Sequence, residues 1–340
     1  MARISGFLVS VFLLFFLSHC SSPPQEVVVK FQGEIQGTYY VVTYYDNQGR
    51  DFQKEIDDLL ADFDQTASMW VEGSILSRVN RNGEGVELNA IFLELFEMSN
   101  KVYEKSGGAF DPTVGPLVNA WGFGFTDRMK VDQHVVDSLL PLVGFNKVSL
   151  ENNQVIKSDP RVQFDFNAIA QGYSVDLIGG LLEEKGILNY LIDIGGEVLG
   201  KGIKPDKSPW KVGIEKPQDN AGYGEGLKAI IALKDKALAT SGNYRKFYEV
   251  DGIRYSHTID PKTGYPVQHS ILSVSVLADD CATADAWATA FMVSGLDQSI
   301  EILGRDKSLD AYFIYSGSST GDLRTYFTEG FKEILVEEME

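Results

Sequence analysis

Asp285 and Thr289 stand four residues apart in Asp279–Gly295, DDCATADAWATAFMVSG. On a helix that spacing puts a carboxylate and a hydroxyl side by side. Two hard oxygen donors so placed suit Mg²⁺, which takes few protein ligands and completes its shell with water and substrate phosphates. Read without context, the same stretch is an Ala-rich buried helix with a capping Asp.

Other chemistry-bearing residues fall in compact Gly/Asp/Thr blocks far apart in the chain. Gly108–Gly124, GAFDPTVGPLVNAWGFG, combines turn residues with aromatic surface, and backbone near Gly can approach a flat ring closely. Asp165–Tyr173, DFNAIAQGY, opens a helix whose free N–H groups would favour phosphate. Asp193–Glu197, DIGGE, has the form of a strand entering a glycine turn. Ala239–Arg245, ATSGNYR, and Tyr255–Gly264, YSHTIDPKTG, complete the set as loop-like blocks. Each alone has the composition of a structural turn. No Walker A, HExxH or CxxC pattern occurs, and Gly224-x-Gly226-x-x-Ala229 follows a polar loop, where a dinucleotide fingerprint needs a strand.

The elements that must hold these blocks are mixed. Val27–Lys30 and Tyr39–Tyr45 have strand composition, and Phe52–Phe63 shows helical spacing through Ile56, Leu59, Leu60 and Phe63. Ala90–Lys105 should be a helix capped by Asn89, with a stripe of Ile91, Leu95, Met98 and Val102 and a stop at Gly107-Gly108. Ala168–Lys185 should be another, with Asp165 upstream as a cap and Gly186 as its end. Strand-like runs follow at Tyr190–Ile194, Lys211–Ile214, Ala229–Leu233 and Ser273–Leu277, with a surface loop at Lys216–Gly226. Strands and helices do not alternate strictly, which predicts α+β rather than a doubly wound sheet.

The chain has 340 residues, 44% hydrophobic and 23% charged, ordinary for a folded protein with a substantial core. Its net charge of −18 repels polyanions, so nucleic acid is excluded as a partner. Residues 1–19 pair one Arg with the apolar run Ile4–Leu17, short for a bilayer span and suited to a signal peptide. Leu17-Ser18-His19-Cys20 followed by Ser21-Ser22-Pro23-Pro24 resembles a bacterial lipoprotein signal, although His19 replaces the usual small residue. That implies an acylated Cys20, a tether over residues 20–26 and a folded domain over 27–340. The expected location is a bacterial membrane, on its periplasmic or extracytoplasmic face. With Cys20 acylated, Cys281 has no disulfide partner; among small apolar neighbours it should be a buried, inert thiol.

From Gly37-Thr38 to Gly295 the blocks closely resemble the ApbE family, the FAD:protein FMN transferases. The most specific pieces are DPTVGPLVNAWGFG, SGNYRKFY with YSHTIDPKTG, and the ADAWATA helix. The resemblance implies an α+β fold of mixed sheets and packed helices, two lobes with a flavin cleft between them, and Mg²⁺ with FAD as substrate. A Thr or Ser hydroxyl of a partner flavoprotein, a subunit of a membrane redox complex, would attack the pyrophosphate and release AMP. It implies Asp285, Thr289 and the Ala168 carbonyl as metal ligands. Asp165 and Gln171 would contact the adenosine or phosphates, Ala109, Phe110 and Asp111 would line the nucleotide, and Trp70 would stack on the flavin. Gln36 stands where Met is common before Gly-Thr, and Asn167 where Gly or Ser is frequent; both should alter cofactor packing.

His257 is the candidate general base beside the cofactor, since imidazole titrates in the range that activates a hydroxyl; a structural His bonded to a turn carbonyl is the alternative. His134 and His269 lie in polar surroundings without a second catalytic residue type nearby. Hydrolysis of FAD to FMN and AMP is the competing activity, and a non-enzymatic flavin-binding lipoprotein a further one. A carrier needs no metal aimed at a pyrophosphate, so the Asp285/Thr289 pair disfavours it.

Overall fold

The computed structural model describes residues 26–124, 131–218, 226–243, 247–250, 253–317 and 322–339. The signal, Cys20, and part of the Lys216–Gly226 loop lie outside them.

The strands are β1 Val27–Ile35, β2 Thr38–Asp46, β3 Val148–Glu151, β4 Gln154–Lys157, β5 Tyr190–Ile194, β6 Glu197–Lys201, β7 Trp210–Glu215 and β8 Leu227–Leu233. They continue with β9 Lys236–Gly242, β10 Phe247–Val250, β11 Ile253–Ser256, β12 Ile271–Ala278, β13 Asp310–Ser316, β14 Leu323–Phe327 and β15 Leu335–Glu338. The helices are α1 Gln53–Ala67, α2 Ile75–Asn80, α3 Ala90–Lys105, α4 Gly115–Ala120, α5 Gln133–Leu139, α6 Asn167–Glu184, α7 Cys281–Ser294, α8 Leu296–Arg305 and α9 Glu329–Ile334.

An eight-stranded antiparallel sheet, in the order β1-β2-β5-β6-β9-β12-β13-β14, organises the molecule. Alternation along β12 and β13 assigns its two faces. Val274, Val276, Ala311 and Phe313 join the core beneath α7, whereas Leu277, Tyr312 and Ile314 join a core shared with the smaller sheet β15-β8-β7. The fold class is α+β, as the sequence predicts.

Helix α7 is mostly apolar and largely buried, with Ala282, Ala284, Ala286, Ala288 and Ala290 inside and Asp285 and Thr289 turned to the cleft. Small side chains let it lie close on β9, where Ala237 and Ala239 are also buried. This corrects the loop-like reading of Ala239–Gly242: these residues end a central strand paired with β12. Ala239 is small because α7 covers its face of the strand, and Thr240, Ser241 and Gly242 line the cleft at its end.

Asn89 caps α3 as expected, accepting from the Phe92 N–H at 2.9 Å. The buried stripe is turned from the expected one: Phe92, Leu95, Phe96, Ser99 and Val102 are inside, while Ile91 and Met98 are only partly covered. Phe92 and Phe96 win the centre because their rings pack on Phe164, and Phe92 also on Phe166. Among the described residues, no helix is long and apolar enough to cross a membrane.

Candidate active site

A cleft of about 1210 Å³ opens at the end of the large sheet. Every site residue singled out in the sequence lines it: Gln36, Trp70, Ala109, Phe110, Asp111, Asp165, Ala168, Gln171, His257, Asp285 and Thr289.

Its floor is the seam between α6 and α7. Asp285 is 7% exposed and its Oδ2 accepts from the Gly172 N–H at 3.1 Å. That N–H is the regular helical donor to the Ala168 carbonyl, so the bond brings Asp285 up against the turn carrying Ala168. Thr289 lies one turn farther along α7, with Oγ1 3.4 Å from Ser241 Oγ. Burial raises the Asp285 carboxyl to about 7, with the Gly172 N–H opposing. Glu197 is pushed well above the usual carboxylate range by burial and then by the charge of Asp285. Burial also lifts Asp193, and lifts Asp165 to about 6.

Among the described residues no Lys or Arg forms an ion pair with Asp165, Glu197 or Asp285. Nor do three or more His, Cys, Asp or Glu side chains there form a metal-holding group. One carboxylate, one hydroxyl and one carbonyl make a short, hard oxygen set, and the excess of buried negative charge around them calls for a cation. The residues therefore fit Mg²⁺, which keeps several of its waters.

The wall beside the floor starts at the β1–β2 hairpin. Its two-residue turn has positive φ at both Gln36 (52°) and Gly37 (75°), as the twist of a tight hairpin demands. Gln36 Nε2 donates to Ser174 Oγ at 2.9 Å and Asp64 Oδ1 at 3.2 Å, which fixes a non-Gly residue in that conformation. Next to it, the Thr38 hydroxyl is buried without a hydrogen-bond partner. The DIGGE block packs on Thr38 and on Gln171: Gly195 has φ 63°, and a Cβ there would press into Gln171 Nε2 and Thr38 Oγ1. Gln171 Nε2 donates to the Ile194 carbonyl at 2.8 Å and to Glu197 Oε2.

Asp111 and Asp165 are interior fixtures. Asp111 Oδ1 accepts from the Thr113 N–H (2.8 Å) and hydroxyl (2.6 Å), and its Oδ2 from the Phe145 N–H (3.2 Å). Burial nevertheless keeps its carboxyl above the usual range. The Asp165 N–H donates to the Pro112 carbonyl at 2.6 Å, joining the two blocks.

The start of α6 differs from expectation. Asp165 does not hold the N-cap position, which falls to Phe166, yet its Oδ1 takes the Asn167 N–H at 2.8 Å. The Ile169 and Ala170 N–H groups go to the Phe166 carbonyl. Of the N–H row expected there to favour phosphate, those of Asn167, Ile169 and Ala170 are therefore already occupied.

The rim carries Trp70 and His257. Trp70, 66% exposed, sits in the turn between α1 and α2, which Ser74 holds by donating to the Ser68 carbonyl (2.6 Å) while capping α2 at Ser77 (3.0 Å). His257 follows β11, half-buried, its ring edge-on to Phe123 at 6.3 Å. Trp121 Nε1 donates to the Gly264 carbonyl at 2.8 Å and fastens the His257 segment to the Gly108–Gly124 block. His134 is exposed, whereas half-buried His269 sits 2.5 Å from the Met292 carbonyl near the end of α7. Cys281 is the fully buried first residue of α7, with its thiol pushed well up by burial, so it is inert as expected.

Thr38, Asp193 and Glu197 escaped the sequence reading as site residues. The GGE turn was the available signal, but only the packing of β5 and β6 against α6 shows what it supports.

The ApbE family model matches residues 36–313. The FAD:protein FMN transferase of Vibrio cholerae is 36% identical over 305 residues, covering 87% of this chain and 90% of its own. That of Haemophilus influenzae is 34% identical, with 92% of each chain covered. Among solved structures, the flavin transferase ApbE from Vibrio cholerae matches with a TM-score of 0.82 at 34% identity, covering 92% of this chain and all of that one. The apo flavinyl transferase ApbE of Pseudomonas stutzeri gives 0.82 at 31% identity, covering 93% and 99%. With a matched family model over most of its length and relatives this similar end to end, the chain belongs to the ApbE family and is a transferase.

Proposed function

We propose that this protein transfers FMN from FAD to a Thr or Ser hydroxyl of a partner flavoprotein, releasing AMP, at a Mg²⁺ site on the extracytoplasmic face of a membrane to which Cys20 tethers it. The observation that carries the reading is that one cleft holds all these groups. It gathers an oxygen donor set on its floor, a planar aromatic and an imidazole on its rim, and room for a dinucleotide between them.

Asp285, Thr289 and the Ala168 carbonyl would hold the ion. When bound, Mg²⁺ supplies charge neutralisation to the pyrophosphate. Trp70 offers its face to the isoalloxazine, and Thr38 a buried hydroxyl to a polar group of the cofactor. His257 takes the proton of the acceptor hydroxyl as its oxygen bonds to the FMN phosphorus and the bond from that phosphorus to the AMP oxygen breaks. The acceptor is left with FMN in a phosphoester.

The test is to incubate the full-length protein with FAD, Mg²⁺ and a peptide carrying Ser/Thr-Gly-Ala-Ser/Thr, the acceptor pattern of the family, and weigh the peptide. A gain of one FMN less one water, with AMP in equal amount, is the expected result. Free FMN and AMP with an unchanged peptide would make it an FAD hydrolase, and intact FAD a carrier.

A further inference from the structure

The Mg²⁺ ligands implied above come from two helices, so their spacing depends on how α6 and α7 are joined. Two features make that joint. Asp176, on α6, accepts from the first two N–H groups of α7: Cys281 N to Oδ1 and Ala282 N to Oδ2, both at 2.8 Å. One turn earlier on α6, Gly172 lies directly under the start of α7, where a Cβ would press into the Cys281 carbonyl. Asp176 thus pulls the helix ends together, and Gly172 lets them close. Gly172 also sends its N–H to Asp285.

We infer that Asp176 is a positioning residue, which with Gly172 forms a clamp setting the distance between the Ala168 carbonyl and the Asp285/Thr289 pair. Asp176 lies nine residues C-terminal to the start of α6, and its partners on α7 lie three to four residues before Asp285; among the described residues it makes no hydrogen bond to Ala168, Asp285 or Thr289. A carboxylate is required because two converging N–H groups need two acceptor oxygens on one planar group. Asn offers one oxygen and turns an NH₂ toward the other N–H. The inference rests on the Mg²⁺ reading of the site.

Calorimetric titration of Mg²⁺ into the full-length protein, with FAD absent, separates a clamp from a merely stabilising contact. Asp280 is the control. It caps the same end of α7, accepting from the Thr283 N–H at 2.7 Å and from its hydroxyl at 2.9 Å, and among the described residues it makes no hydrogen bond to α6. Asp176→Asn should raise the Mg²⁺ dissociation constant about 10–100-fold, the usual effect of losing a group that orients metal ligands. Asp280→Ala should lower the melting temperature and leave that constant within about twofold of the unaltered protein, as capping loss acts on helix stability. Should Asp176→Asn not fold, Gly172→Ala keeps the carboxylate and spreads the helices, and should weaken Mg²⁺ in the same way. Unaltered Mg²⁺ affinity in the Asp176 or Gly172 variant, or an equal loss in the Asp280 variant, overturns the clamp. No saturable Mg²⁺ binding by the unaltered protein would overturn the metal reading itself, and the clamp with it.

Discussion

The floor and the rim of the cleft are built by opposite means. Asp285, 7% exposed, is set by two packed helices and by a backbone N–H from the neighbouring helix. Trp70, 66% exposed, is set by a turn that the side chains of Ser68, Ser74 and Ser77 hold. Buried charge with no cation beside it is costly, so the floor is shaped for an ion that brings compensating charge. An exposed ring carries no such cost of buried charge. On the proposed reading the ion is held at the floor, while the rim meets the flavin through Trp70 and the acceptor hydroxyl through His257.

The sharpest way to break this division lies at His257. His257→Ala should lower FMN transfer by roughly 10²–10⁴-fold, the usual worth of a positioned base, while FAD affinity holds. Raising the pH should recover part of the loss. If titration with FAD shows binding falling in step with transfer and no recovery with pH, His257 belongs to the cofactor's binding surface and the base lies elsewhere.

On the floor, Asp285→Asn keeps the shape and removes the charge. The Mg²⁺ concentration needed for half-maximal AMP release should rise on the order of 100-fold, the upper end of what even indirect partners of a metal contribute. AMP release matching the unaltered protein at limiting Mg²⁺ would reject Asp285 as a ligand.

Trp70→Ala sharpens the rim side of the contrast. Losing a base–aromatic stack should weaken FAD by about 1–3 kcal/mol, read by quenching of flavin fluorescence, with Mg²⁺ affinity unchanged. A parallel loss of Mg²⁺ would mean that rim and floor are not separate.

Smaller still is the effect of pH on the metal-free fold. Asp285 and Asp165 titrate near 7 and 6 when folded and near 3.8 otherwise, so the folded state holds their protons more tightly. Their stabilisation is complete below about 4 and is lost as the pH rises through 6 to 7. Thermal melts without Mg²⁺ should fall between about pH 5 and pH 8, and added Mg²⁺ should raise the melting temperature more at the higher pH. A flat profile that Asp285→Asn leaves unchanged would show that the floor carries no such load.

Turnover should not change in Cys20→Ala, because Cys20 belongs to the expected signal and tether and not to the set of site residues. Fractionation should find the protein released from the membrane or left with its signal attached; normal cleavage with full membrane retention would exclude the lipid tether.

What could be read from the chain, and what could not, follows from the range of the forces involved. Local rules placed the Asn89 cap, the strand pair ahead of α1 and the four-residue spacing of Asp285 and Thr289, because capping, alternation and helical pitch act within a few residues. Composition set the excess of acid, and the spaced blocks carried the likeness to one family.

Tertiary structure decided the rest. Ala239–Gly242 looked like a loop because small residues favour turns, yet they end a central strand in which Ala239 lies under α7 and the next three residues border the cleft. The α6 N-terminus looked open to phosphate until Asp165 and Phe166 took its N–H groups. Thr38, Asp193 and Glu197 gained their place only when β2, β5 and β6 came together beside α6. Whether a polar group faces a neighbour, a ligand or nothing depends on residues more than a hundred positions away, and no local pattern encodes that distance. The sequence determined which groups could do the chemistry; the packing of α6 against α7 decided which of them meet, because the close approach that Gly172 permits and Asp176 secures exists only in the folded chain.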